Sequence, residues 1–225
     1  MTTKREIEEW NKRKWEGKNR AMYEKHGQNN WPWFIDKLDP DIDEYLRASG
    51  ATGLDILDLG ACSGSQALEL ARRGHRVVGT DISETALERA NLAASGETGL
   101  AISFQIDDIA HSRLDDDQFD LVLDRGCYCS ICTFNHDEYV ASVRRVLKPG
   151  GVLLLKTMSS EETRYITYDK VGGREVQMPF HFTAEQLQKL MSPHFTIEQM
   201  RDSFFYSSTV GEPARARFLV MRNDK

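Results

Sequence analysis

Residues 55–81 constrain this chain more than any other stretch. They read Asp-Ile-Leu-Asp-Leu-Gly-Ala-Cys-Ser-Gly-Ser, then Gln-Ala-Leu-Glu-Leu-Ala-Arg-Arg-Gly, then His-Arg-Val-Val-Gly-Thr-Asp. Ile56, Leu57 and Leu59 form the short apolar run of a buried parallel strand. Ser65 is placed to cap a helix, Gly74 to end it, and Val77-Val78 opens a second strand. The pattern predicts one βαβ unit. The turn from Gly60 to Gly64 lets backbone approach a ligand closely, the helix N-terminus favours an anionic group, and Asp81 is placed to accept hydrogen bonds from a ribose. An adenosine derivative fits these three features.

The glycine spacing narrows the choice. A dinucleotide fingerprint needs glycine at the third and sixth positions, where this chain has Cys62 and Ser65, and a P-loop needs Gly-Lys-Ser or Gly-Lys-Thr after the turn. NAD, FAD and a P-loop nucleotide are therefore disfavoured. Asp58-Leu59-Gly60-Ala61-Cys62-Ser63-Gly64 instead resembles motif I of the class I S-adenosylmethionine-dependent methyltransferases, with Cys62 where the family usually has glycine.

Three further segments carry the resemblance. Phe104-Gln105-Ile106-Asp107-Asp108-Ile109 is similar to the family's third strand and its adenine-contacting acid, with Asp108 the better aligned acid and Asp107 the alternative. Phe119 to Gly126 resembles the fourth strand and its catalytic-face ending, and Leu147 to Lys156 the turn and fifth strand. The resemblance spans roughly residues 30–222. It implies a doubly wound, Rossmann-like α/β fold with a seven-stranded, mostly parallel sheet and an antiparallel last strand. It also implies S-adenosyl-L-methionine as cofactor, contacted by Asp58, Gly60, Ala61, Gly64, Asp81, Ile82, Asp108, Ile109 and Asp124.

Size and charge agree. A chain of 225 residues with 40% hydrophobic residues can bury one α/β core. The division expected is a helical cover segment over residues 1–50 and a methyltransferase domain over 51–225. A net charge of −6 gives no basic footprint for a nucleic acid, so the partner expected is a small-molecule acceptor. Residues 1–20 have no apolar core, and no run is long enough to span a bilayer, so a cytoplasmic protein with no membrane partner is expected. Its four cysteines should then be reduced thiols. Oligomeric state is left open.

Outside the first unit, helices are expected at 4–25, 41–48, 83–92, 135–147 with Asn135 as N-cap, and 183–191 with a Thr183/Gln186 capping box. Strands are expected at 101–106, 152–156 and 195–199, with 216–222 as the antiparallel strand at the sheet edge. Connections 157–180 and 201–214 are long enough to be lids. The helix at 4–25, with its thin apolar stripe, is either a piece of scaffold or, with Trp31, Pro32 and Trp33, an active-site cover.

The cluster Asp124-Arg125-Gly126-Cys127-Tyr128-Cys129-Ser130-Ile131-Cys132 begins where the fourth strand ends, the side on which α/β folds hold ligands. Its Asp-Arg-Gly start resembles a small-molecule branch similar to thiopurine, other thiol and tellurite-resistance-type methyltransferases, which often have histidines near positions 129 and 130. The resemblance makes S-methylation the leading subtype, ahead of N- or O-methylation. A peptide methyltransferase and a non-catalytic cofactor-binding protein are the alternatives. Trp33, Arg125, Tyr128 and Cys129 are the acceptor-binding candidates. Asp124, Tyr128 and His181 are the groups that would move a proton if the acceptor needs a base. Cys127 and Cys132 read as packing groups, and the cysteine cluster with His136 lacks the second ligand pair of a zinc site, so no metal is expected.

Overall fold

The structure is a computed structural model and describes residues 4–27, 33–171 and 173–225. Seven strands form the main sheet: β1 (Asp55–Leu59), β2 (Arg76–Asp81), β3 (Ile102–Ile106), β4 (Phe119–Arg125), β5 (Leu147–Met158), β8 (Thr196–Phe205) and β9 (Ala214–Arg222). Their order is β3-β2-β1-β4-β5-β9-β8. Strands β1 to β5 pair in parallel, and β9 runs antiparallel to both neighbours. The last strand is thus antiparallel as expected but not at the edge. It inserts between β5 and β8, because β8 continues to Phe205 through a segment expected to be loop.

Side-chain alternation along the central strands divides the core in two. Leu121, Leu123 and Leu154 face a cluster with Ile42, Leu46, Ala67 and Leu70, from α2 (Pro40–Ser49) and α3 (Ser65–Arg72). Val122, Leu153 and Leu155 face the other cluster, with Tyr139 and Val143 of α5 (Tyr128–Val146) and Leu187 and Met191 of α6 (Ala184–Met191). Central strands apolar on both faces are what a parallel sheet covered on both sides requires.

Several helix ends differ from expectation. The N-cap of α3 is Gly64 in the left-handed region, and Ser65 is its first helical residue, so the hydroxyl proposed as cap is not one. The fourth helix, α4 (Glu84–Ala94), is capped by Ser83, and Thr183 and Gln186 form the expected capping box of α6. Helix α5 begins at Tyr128, seven residues before the expected N-cap, and Asn135 marks a kink inside it with φ −127° and ψ 29°. The first helix, α1 (Lys4–His26), packs against α4, and the connection after β5 contains a small antiparallel hairpin, β6 (Tyr168–Val171) with β7 (Arg174–Gln177). Among the described residues no helix is long and apolar enough to cross a membrane. Trp31 and Pro32 lie outside the described residues.

A buried charge network ties the segment before α2 to the sheet. Lys156 is fully buried and pairs with Asp39 and with Asp41 at 2.6 Å, Arg125 Nε meets Asp39 at 2.8 Å, and Arg201 meets Asp41 at 2.7 Å. Removing one member would strand another's charge away from water, which is far costlier than losing a surface pair.

Candidate active site

At the carboxyl ends of β1, β2 and β4 the chain turns away from the sheet and leaves a cavity of about 560 Å³. Gly60 opens the first turn at φ +65°, and a Cβ there would meet Cys127 Cβ at 3.1 Å, so both backbone conformation and close approach call for glycine. Cys62, where the family motif usually has glycine, holds φ +51°. Its N–H donates to Asp81 Oδ2 at 3.0 Å, which helps hold the left-handed turn. Asp81 Oδ1 accepts from Ser83 N at 2.9 Å. Burial pushes the Asp81 carboxyl up to about 6 against those hydrogen bonds.

Gly60, Asp81, Ile82, Asp108 and Ile109 line the cavity, as does Asp107. The Asp108 carboxylate is already used, accepting from Ala110 N at 3.1 Å and facing His111 Nδ1 at 3.5 Å, whereas Asp107 Oδ2 is buried and without a hydrogen-bond partner. Asp58 and Ala61 line a small adjoining cleft with Trp33 and Arg125. Asp58 Oδ2 is buried and unpartnered too, and burial pushes its carboxyl up to about 7. Gly64 lines neither space. A Cβ on it would run into the Phe104 ring at 2.7 Å, so this glycine serves packing against β3 rather than a ligand.

The three residues expected to move a proton, Asp124, Tyr128 and His181, all lie off the cavity. Asp124 is fully buried and lines neither space. It accepts from the backbone N–H groups of Gly126, Cys127 and Tyr128 at 3.0, 2.8 and 2.9 Å and from Tyr139 Oη at 2.8 Å, so it caps the start of α5. Its own pKa rises to about 6 through burial, held back by these donors. Tyr128 points into the core, stacked on Phe182 at 5.3 Å with its hydroxyl 2.8 Å from His136 Nδ1, because helix α5 starts at this residue and turns its side chain under the sheet. His181 is also buried off the cavity, its Nδ1 2.8 Å from the Glu162 carbonyl.

The other acceptor candidates do meet the cavity. Trp33, Arg125 and Cys129 line it. Arg125 is a strap: its guanidinium donates to Asp39, to Trp33 O at 2.8 Å and to Tyr206 O at 2.6 Å, joining three segments at the rim. Cys129 donates to Gly126 O at 3.2 Å, and burial pushes its thiol up to about 11, so it stays protonated at neutral pH. The Cys132 side chain lies outside the described residues, and His136, the fourth ligand of the zinc alternative, faces Tyr128 instead. Among the described residues no group of three His, Cys, Asp or Glu is arranged to hold a metal ion.

The helix at 4–25 was expected as scaffold or cover, but the residues of its cavity face were not singled out in the sequence. Asn11, Lys14, Trp15, Lys18 and Asn19 of α1 line the cavity. Their spacing of i, i+3, i+4, i+7 and i+8 is that of one helix face, but the face is polar and aromatic and so does not register as an apolar stripe. The same helix is docked by Glu16, which accepts from Ser83 Oγ at 2.7 Å and from Thr85 N at 3.2 Å. Lys14 joins it to the hairpin through Asp169.

Residues 57–155 match the family profile described as a methyltransferase domain. An uncharacterized methyltransferase of Schizosaccharomyces pombe is 32% identical over 112 residues, which are 49% of this chain and 77% of the yeast protein. The chain belongs to the S-adenosylmethionine-dependent methyltransferases. A 2-heptyl-1-hydroxyquinolin-4(1H)-one methyltransferase of Mycobacteroides abscessus is 26% identical over 197 residues, covering 86% of this methyltransferase and 82% of the mycobacterial one. The structure of Burkholderia thailandensis 1,6-didemethyltoxoflavin-N1-methyltransferase, with bound 1,6-didemethyltoxoflavin and S-adenosylhomocysteine, shares the fold at a TM-score of 0.69 and 19% identity, over 93% of this chain and 87% of that one. The cofactor is S-adenosylmethionine. The structure fits it: two buried carboxylate oxygens without partners, on Asp58 and Asp107, stand in the adjoining clefts as acceptors for the donor groups of such a molecule.

Proposed function

We propose that this methyltransferase acts on a small, largely apolar acceptor whose nucleophilic atom ionises near neutral pH, a thiol first and an acidic hydroxyl second. The carrying observation is the composition of the cavity wall: Trp15, Trp33, Ile131, Met158, Met178 and Phe205 give it an apolar, aromatic part, and no described lining residue is a histidine. With His181, Asp124 and Tyr128 turned away, this wall offers no histidine base for an amine that must lose a proton. An acceptor that is already partly ionised needs none. The thiol preference and the thiopurine- and tellurite-resistance-like branch suggested by the Asp-Arg-Gly start belong to this reading. The hydroxyquinolone in the name of the Mycobacteroides relative is what adds an acidic oxygen to it.

Bound S-adenosylmethionine supplies a methyl group on a sulfonium already activated for displacement. In this reading the chain's own work is binding, orientation and exclusion of water. Gly60 gives the backbone room, Asp81 would hold the ribose hydroxyls, and Ile82, Ile109, Asp107 and Asp108 would line the adenine end, with the unpartnered Oδ2 of Asp107 the acceptor left open there. Asp58 acts at the methionine end through the small cleft. Residues 1–50 serve as the cover, with α1 as its rigid part and Trp33 and Cys129 against the acceptor.

Incubation with methyl-labelled S-adenosylmethionine and a panel of aromatic thiols, N-hydroxyls, phenols, amines and peptides tests the proposal. Label should pass to the thiols and acidic hydroxyls. Transfer only to amines or peptides would overturn it.

A further inference from the structure

Lys18 stands in the cavity wall between two indole rings, with Nζ 4.5 Å from the centroid of Trp15 and 5.0 Å from that of Trp33. The other two cationic groups lining the cavity are engaged: Lys14 pairs with Asp169 and donates to Met178 Sδ at 3.2 Å, and Arg125 is held by Asp39 and two carbonyls. Among the described residues Lys18 has no carboxylate, carbonyl or hydroxyl accepting from it. Two turns earlier on the same helix face, Asn11 is buried and lines the cavity with Oδ1 unpartnered.

An unpaired ammonium is expensive among apolar walls unless something compensates it. The indole faces supply part of that compensation. The cavity keeps Lys18 wet, since its side chain is open to solvent there although protein surrounds most of it, and that surrounding protein together with Lys14 pulls its pKa below the ordinary lysine value. A ligand that fills the cavity displaces that water, so a neutral ligand would leave the ammonium desolvated and an anion would pair with it.

We propose that Lys18 is the counter-ion of the acceptor: the enzyme takes planar aromatic acceptors in anionic form and holds the negative group at Lys18, flanked by Trp15 and Trp33, with the Asn11 amide a further polar group two turns along the same wall. The inference rests on the small-molecule reading above and deepens it, making Lys18 a specificity-determining residue.

The test uses the full-length protein saturated with S-adenosylhomocysteine and two ligands of one shape, 2-naphthoate and 2-naphthamide, titrated by calorimetry. Wild type should bind the carboxylate roughly tenfold or more tighter than the amide, as for a hydrogen bond to a charged group. Lys18→Met should abolish the preference, Lys18→Arg should keep it, and S-adenosylhomocysteine affinity should stay within about twofold in both, since a hydrogen bond to a charged group is the larger effect. Equal wild-type affinities, no binding of either ligand, or a preference that survives Lys18→Met would overturn the proposal. So would a Lys18→Met protein that loses S-adenosylhomocysteine affinity, which would assign the lysine to the cofactor. Failure of the small-molecule reading shows separately, as absence of methyl transfer to any member of the acceptor panel.

Discussion

Glu16 Oε2 lies 2.7 Å from Ser83 Oγ, and this contact joins the N-terminal helix to the turn that follows Asp81. The same carboxylate accepts from Thr85, so a residue from the cover clamps the start of α4 directly beside the acid that faces the cofactor cavity. Partial burial pulls the Glu16 carboxyl up, but the hydrogen bonds from Thr85 and Ser83 win and hold it at about 2.

Glu16→Ala should therefore destabilise the protein by about 1–3 kcal/mol at pH 7 by stranding these donors. The sign of the pH effect follows from the shift. A depressed carboxylate pKa contributes stability that is complete above its unfolded value, 4.5, and is lost as pH falls toward about 2. Urea unfolding of wild type and variant at pH 7 and pH 3.5 should show the difference shrinking at the lower pH. A constant difference would mean that the clamp is not the ionised carboxylate.

Asp124 and Tyr128 separate scaffold from chemistry. Asp124→Asn keeps the shape but cannot accept from all four donors, so a loss of stability of about 1–3 kcal/mol is expected. Tyr128→Phe removes the hydroxyl and its bond to His136 and should cost about 1 kcal/mol, with kcat changed less than a few-fold. A Tyr128→Phe enzyme of normal stability but with turnover reduced a hundredfold would return the tyrosine to the active site.

The cover makes a third prediction. Deleting residues 1–28 removes the wall formed by Asn11, Lys14, Trp15 and Lys18 while leaving β1, β2 and Asp81 in place. Turnover should fall far more than affinity for S-adenosylhomocysteine, because closure against water is lost before the cofactor contacts are. A truncated protein that keeps its circular-dichroism spectrum and its full activity would refute the cover role.

The parts of this architecture legible in the sequence are those encoded locally. The strand at 56–59, the Gly60 turn and Asp81 lie within one βαβ unit, so spacing alone brings them together. The Thr183 capping box is equally local. Asp124 and Tyr128 failed because their roles depend on where α5 begins. The N-cap signal at Asn135 favoured a start there, but the Asp124 carboxylate accepts from the backbone N–H groups of Gly126, Cys127 and Tyr128, so the helix starts at Tyr128 and both side chains turn inward. Which residues of α1 face the cavity was hidden for another reason. A face of Asn, Lys and Trp looks like a solvated surface until the fold shows the cavity it faces. The Asp39 and Lys156 pairing joins residues far apart in the chain and leaves no mark on either neighbourhood.

Asp81 carries the central claim, that the cavity at the ends of β1 and β2 holds S-adenosylmethionine through its ribose. The deciding measurement is calorimetric titration of S-adenosylhomocysteine into folded wild-type and Asp81→Ala protein between pH 5 and pH 8. Burial raises the Asp81 carboxyl to about 6, and ribose hydroxyls donate to its ionised form, so wild-type affinity should rise as pH climbs through 6 and level off above it. Asp81→Ala should lose about 1.5–3 kcal/mol of binding at pH 7.5 and most of that pH dependence. Unchanged affinity in the folded variant, with the same pH profile as wild type, would contradict the assignment of this cavity to the cofactor.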